Sequence, residues 1–282
     1  MPASAKHMPI TDRFRITKIV IVESLEAKEV KTGQILSDLL QSLVAEHAPQ
    51  LRVQYESCDS VVEFKQLILI LANEARLGLE APILHMECHG GSQIGLEFAN
   101  GSSIAWEDLA QVLSDLNIAS SFNLLVVLSA CYGGQLLGEV LAFKAAPCWC
   151  IVAPSEAIND PDAIGGFRTF YFTLITTRDV GIAASALAST APSEGYWFTQ
   201  FSHLWFEQHV IDFIESHCTK SAVRKRAKLL YYRTVKDGHR ASVDGIIEKF
   251  RREHQQVFTG LYFETFFCTD RIPTSRVVIN VK

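Results

Sequence analysis

Two residues stand where a protein could use them chemically. Cys131 ends the apolar run Asn123-Leu124-Leu125-Val126-Val127-Leu128-Ser129-Ala130 and is followed by Tyr132-Gly133-Gly134; His89 ends the run Ala81-Pro82-Ile83-Leu84-His85-Met86-Glu87-Cys88 and is followed by Gly90-Gly91. A thiol attacks a carbonyl carbon as thiolate, so it needs a basic partner, and the oxyanion that forms needs N–H donors. Cys131 and His89 offer the first pair. Gly90 and Gly91 let backbone come close to a substrate and turn N–H groups toward it, and the amide of Cys131, at a strand-to-helix turn, is the natural second donor. Against this, a free cysteine is commonly a small buried hydrophobe and a strand-end histidine a satisfied one. Their placement at the ends of two separate apolar runs, each closed by glycines, favours chemistry over packing.

Such residues have to be delivered by strands. Apolar runs that stop at small, turn-forming residues read as fully buried parallel strands whose carboxyl ends reach the rim of a sheet, where open α/β sheets keep their chemistry. Residues 15–23 read as a first strand, 31–46 as a helix ended by Pro49, and 51–58 as a second strand. Residues 61–79 read as a helix capped by Asp59 or Ser60, with Glu63 in its first turn. After the histidine strand, 94–99 and 102–104 flank Asn100-Gly101, a strong hairpin signal. A short helix over 106–116 leads to the cysteine strand, followed by a helix over 135–144 and a buried strand over 148–154. The loop 154–161 is acidic at Glu156 and Asp160, with Asp162 just beyond, and helices follow over 166–176 and 181–189. This alternation is the signature of a parallel sheet covered on both faces.

Beyond Pro192 the pattern changes to an aromatic cluster of Tyr196, Trp197, Phe198, Phe201, Trp205 and Phe206, then helices over 205–217 and 221–236. The stretch 242–282 mixes a charged helix with aromatic, strand-like pieces. The organisation expected is a disordered tail over 1–12, a core over 13–193, and a helical and aromatic C-terminal extension over 194–282 packed on it.

The succession of apolar strand, His89-Gly90, Asn-Gly hairpin, short helix and Leu128-Ser129-Ala130-Cys131 resembles the caspase-like (clan CD) cysteine peptidases, most closely the CHAT type. Downstream, Asn159-Asp160-Pro161-Asp162-Ala163, then Phe170-Tyr171-Phe172-Thr173-Leu174, then Ala183-Ala184-Ser185-Ala186-Leu187 are similar to that type's acidic turn, Phe-Tyr helix and Ala-rich helix. The likeness covers about residues 60 to 190. It implies a three-layer α/β sandwich with a mostly parallel central sheet, His89 as general acid/base, Cys131 as nucleophile, acyl transfer through a thioester, and oxyanion donors at Gly90 and Cys131. It also implies an acidic group that reads the residue before the scissile bond; Asp160 is the first candidate and Asp162 the second, with a basic residue as their complement. The function implied is a regulated cysteine endopeptidase cutting a specific protein, of the kind found in prokaryotic self-destruction and defence, with a gasdermin-like pore former as a substrate class. The chain departs from the family in carrying Tyr132 after the cysteine, where a polar or acidic residue is common, and in lacking the usual repeat domains. The rival readings are a catalytically idle scaffold that binds a partner through the same cleft, and a nucleotide-binding doubly wound domain.

Composition bounds these readings. With 282 residues, 48% hydrophobic and 20% charged, the chain has the makeup of a folded protein with an ample core. A formal net charge of -5 gives no whole-molecule attraction to nucleic acid. No apolar run approaches the roughly 20 residues of a membrane span, and the opening residues show no secretory signal. Seven cysteines in a chain of this size point to free thiols in a reducing, cytoplasmic setting. No cofactor or metal is called for. Cys148 and Cys150 should point the same way into the core, and His203, His209 and His217 lack the metalloprotease spacing. Neither glycine pair has the spacing of a phosphate-binding loop. Lys220, Arg224, Lys225, Arg226, Lys228, Arg233 and Lys236 read as one basic helix, most simply a solvated face and alternatively a docking surface for an acidic partner.

Overall fold

The computed structural model describes residues 16–78, 82–193, 195–217, 219, 221, 222, 224, 225, 245, 260 and 262–270. The expected tail over 1–12, most of the basic helix and most of 242–282 lie outside the described residues. These fall in two compact units, one holding the described residues from 16 to 140 and from 146 to 202, the other 141–145 and the described residues from 203 onward.

In the first unit, β1 (Lys18–Ser24), α1 (Thr32–His47), β2 (Arg52–Ser57), α2 (Val61–Arg76) and β3 (Pro82–Gly91) follow the expected alternation. Ser60 is the cap of α2: its Oγ accepts from the Glu63 amide at 3.2 Å while the Glu63 carboxylate accepts from the Asp59 amide at 2.7 Å, a reciprocal lock on the first turn. The hairpin β4 (Gly95–Glu97) and β5 (Ser103–Ile104) turns at Asn100-Gly101, with Gly101 at φ +80. Next come α3 (Trp106–Ala119) and β6 (Leu125–Ser129). The helix expected over 135–144 is instead a 3-10 helix, Gly133–Glu139. Three glycines in seven residues weaken an α-helix there, and Gly133 sits so close to Ala153 and Leu128 that a methyl carbon on it would lie 3.0 Å from each Cβ. After β7 (Cys150–Pro154) come α4 (Asp160–Thr177), α5 (Val180–Ala188) and β8 (Trp197–Phe201).

The strands hydrogen-bond in the order β2-β1-β3-β6-β7-β8, parallel except β8, which runs antiparallel to β7. Thus β8, on the far side of the expected boundary at residue 193, is a strand of the central sheet. Helices α2 and α3 cover one face, over Val20, Val22, Leu84, Met86, Val126 and Leu128; α1, α4 and α5 cover the other, over Ile19, Ile21, Ile83, Leu125, Val127 and Val152. Cys148 and Cys150 do not point the same way: Cys148 joins the first core and Cys150 the second, because the strand begins only at Cys150 and Cys148 lies in the preceding turn. The chain moves outward from β1 to β2 and returns past β1 to β3, so the order reverses between β1 and β3. At such a switch point the connections diverge and leave a crevice at the carboxyl edge.

The second unit contains α6 (Ser202–His217) from His203 onward and, later in the chain, α7 (Tyr262–Phe267). Phe206 meets Phe263, Phe266 and Phe267, and Trp205 stacks on Phe266 at 5.4 Å. No helix among the described residues is long and apolar enough to cross a membrane.

Candidate active site

Side chains alternate between the two faces of the sheet, and counting along β1, β3 and β6 puts Glu23, Glu87 and Ser129 on the face of α1 and α4. These three form one row, Glu23 beside Glu87 and Glu87 beside Ser129. His89 stands two residues beyond Glu87 on β3, where it pairs with Glu97 of β4, and Cys131 lies in the turn two residues past the end of β6. Cys88, between Glu87 and His89, joins the opposite core. The two chain ends touch: a methyl carbon on Gly90 would lie 2.3 Å from the carbonyl oxygen of Cys131 and 3.2 Å from its amide nitrogen. Only glycine lets these strand ends meet. The Trp106 indole N–H donates to the Gly91 carbonyl at 3.1 Å and holds the histidine arm where β3 turns into the hairpin.

Cys131 is half-buried, its Sγ 3.9 Å from the Ile158 carbonyl oxygen. Tyr132 adopts left-handed backbone at φ +60, a strained conformation for a residue with a side chain, and its amide donates to the Glu156 carbonyl at 3.1 Å. The segment between β7 and α4 is therefore laid against the turn that follows the thiol. The amide of Cys131 has no acceptor among the described residues, so it is available to an oxyanion.

His89 is open to solvent, with 55% of its side chain exposed, and its Nε2 lies 2.8 Å from Oε1 of Glu29, whose side chain is 28% exposed. Partial burial pushes the Glu29 carboxyl up, but the Glu26 amide, the hydrogen bond and charge of His89, and Lys28 together outweigh it and hold the carboxyl below its usual range. Sequence reasoning missed Glu29. It lies 60 positions from His89 in a short charged loop that reads as an ordinary solvated turn, and no local pattern marks it.

Beneath this edge lies a buried polar cluster. Glu87 takes the Thr32 hydroxyl at 2.8 Å on Oε2 and lies 2.8 Å from His85 Nε2 through Oε1. Glu23 takes the Gly33 amide at 2.7 Å and the Tyr55 hydroxyl at 2.6 Å. His85 Nδ1 lies 3.1 Å from the Tyr171 hydroxyl. Both carboxylates thus have a partner on every oxygen, which is what permits two acids side by side in a core.

Asp160 and Asp162 are not in an open turn but in the first turn of α4, where negative charge complements the helix dipole. Asn159 caps this helix: its Oδ1 accepts from the Asp162 amide at 2.9 Å and its Nδ2 donates to Asp162 Oδ2 at 2.7 Å. The Asp160 carboxylate makes no hydrogen bond or ion pair with a described residue. Tyr196 ties this region to the thiol. Burial first, then Asp162, Glu156 and Cys131, push its phenol up to about 12, and its hydroxyl donates to the Ala157 carbonyl at 3.4 Å. Gly90 is brought against the Cys131 backbone, with His89 the residue before it; of the two acidic candidates, Asp162 is the one with an electrostatic link to the same tyrosine as Cys131. Compared with models of known protein families and with curated proteins, the chain finds no match.

Proposed function

We propose that the chain is a cysteine endopeptidase of the caspase-like, CHAT type, with Cys131 as nucleophile and His89 as general acid/base. The observation that carries this reading is the meeting of two adjacent parallel strand ends, with Gly90 against the backbone of Cys131 and a solvent-open histidine beside it. In this reading the thiol gives its proton to His89 and the sulfur bonds to the scissile carbonyl carbon. The oxyanion is held by the amides of Gly90 and Cys131, and the thioester left after the amine departs is hydrolysed by water. The segment from Glu156 to Asp162, folded over the turn after Cys131, favours a basic residue before the scissile bond. By the same resemblance the substrate is a specific protein, a gasdermin-like pore former being one class, in a prokaryotic defence pathway held in check by a regulator.

The test is incubation with a pooled peptide library, wild type beside Cys131→Ala and His89→Ala, with cut sites read by mass spectrometry. Cleavage present in wild type and lost in both variants establishes the dyad, and Arg or Lys before the cuts supports the acidic segment as its reader. Absence of cleavage together with a Cys131 thiol inert to an acyloxymethyl ketone overturns the peptidase reading in favour of a partner-binding scaffold.

A further inference from the structure

The loop between β1 and α1 is braced at every point where it could shift. Glu29 accepts from the Glu26 amide at 2.6 Å through Oε2, while its own amide donates to the Glu26 carbonyl at 3.0 Å. Lys31 Nζ donates to the Leu25 carbonyl at 2.5 Å and closes the loop across its base. At its two ends, Glu23 grips the Gly33 amide and Glu87 grips the Thr32 hydroxyl. A solvent-side turn fixed at this many points presents one carboxylate oxygen, Glu29 Oε1, and that oxygen lies on His89 Nε2. The other ring nitrogen, Nδ1, makes no hydrogen bond to a described residue.

We propose that Glu29 is the positioning residue of His89: its carboxylate holds the proton on Nε2, fixes the ring's orientation, and leaves Nδ1 as the nitrogen that exchanges protons with substrate and Cys131. This rests on the peptidase reading. The proton balance follows from the assignment. Nδ1 takes the thiol proton as the S–C bond forms, and gives it to the amine nitrogen as the C–N bond breaks. It then takes a proton from water as the O–C bond forms, and returns it to sulfur as the S–C bond breaks. Glu29 gains no proton in any step; its negative charge steadies the imidazolium present between transfers. Among the described residues, Glu29 bonds His89, Lys28 on the same loop acts on the Glu29 carboxylate, Glu97 lies directly across the β3–β4 ladder, and Cys131 follows the end of β6. Glu97 is a cross-strand neighbour rather than a hydrogen-bond partner of His89, so Glu29 is the group whose removal should be felt at Nε2.

The experiment has two arms on the full chain. In the first, 15N-histidine NMR follows His89 through a pH titration in wild type, Glu29→Gln, Glu29→Asp and Glu97→Gln. The expected wild-type result is a neutral ring with its proton on Nε2. Glu29→Gln should mix the tautomers, and Glu97→Gln should leave the proton on Nε2. In the second, kcat and KM are measured against pH on a cleaved peptide. Glu29→Gln should lower kcat by at least about tenfold across the profile and leave KM nearly unchanged, with Glu29→Asp recovering part of the loss. An unchanged His89 tautomer in Glu29→Gln overturns the inference, as does full kcat in that variant. Failure of wild type to cut any peptide, with a Cys131 thiol inert to an acyloxymethyl ketone, would instead sink the peptidase reading while leaving the NMR result to stand or fall by itself.

Discussion

The cysteines divide sharply by how far burial removes them from thiolate chemistry. Burial pushes the Cys58 thiol up to about 11 and the Cys148 thiol up to about 12, and holds Cys88 and Cys150 well above the ordinary thiol range. Cys131 is only half-buried, at a sheet rim. Because the thiolate is the reacting species, a limiting dose of iodoacetamide at neutral pH should label Cys131 before any of these four. Peptide mapping by mass spectrometry reads the order, and equal labelling of Cys88 or Cys150 would contradict it. Gly90 gives a second prediction at this scale. Alanine there places its methyl carbon 2.3 Å from the Cys131 carbonyl oxygen, a backbone atom that cannot swing aside, so the strand ends must part. Gly90→Ala should cost about 2 kcal/mol in urea unfolding and abolish cleavage. Gly138, which has nothing within 4 Å of the same position, supplies the control, and Gly138→Ala should change neither measurement appreciably.

Elements α1, β1 and β3 are joined by charge rather than by a conventional cap. Lys31, at the cap position of α1, makes no capping hydrogen bond; the first residues of the helix are instead held by Glu87 through the Thr32 hydroxyl and by Glu23 through the Gly33 amide. Thr32→Val keeps the shape and removes one donor from a buried carboxylate, so it should lower unfolding stability by about 2 kcal/mol. A loss below about 0.5 kcal/mol would mean that water or a shift of α1 restores the bond. This junction also marks the limit of what the sequence makes legible. The two strands bearing His89 and Cys131 announce themselves because each is an unbroken apolar run closed by glycines, and Asn100-Gly101 because few turns tolerate other residues. The acidic turn misleads because Asn159 and Pro161 are helix-start signals as well as loop signals, and the structure uses them to begin α4 six residues earlier than apolar spacing suggests. Glu29, Thr32 and Tyr171 cannot be read at all. Their partners lie 55 to 86 positions away, and nothing local distinguishes a carboxylate aimed at a strand end from one facing water.

For the sheet-bearing unit taken whole, the same burial that leaves Cys131 as the accessible thiol sets an alkaline limit on stability. Cys148 and Cys150 lie in the cores on opposite sides of the sheet and Cys88 sits on its third strand, all fully enclosed, and Tyr171 lies buried beside Glu87 with its hydroxyl held well above the ordinary phenol range by burial and by that charge. Each of these groups keeps its proton when folded and releases it near its ordinary value when unfolded. The unfolded chain therefore binds fewer protons than the folded one once the pH exceeds that value, and the sign of the linkage is fixed: stability is complete below about pH 9 and falls as the pH rises toward the folded values. Each retained proton contributes a slope that rises to about 1.4 kcal/mol per pH unit as the unfolded thiol ionises, so Cys148 and Cys150 together give on the order of 2 kcal/mol between pH 9 and 10. Urea midpoints measured from pH 7 to pH 11 should be level at first and then drop. Replacing both Cys148 and Cys150 with Ala should flatten the decline, even though it lowers stability at neutral pH by opening space in the two cores. A decline of the same steepness in the double variant would assign the alkaline limit to Cys88 and Tyr171 instead.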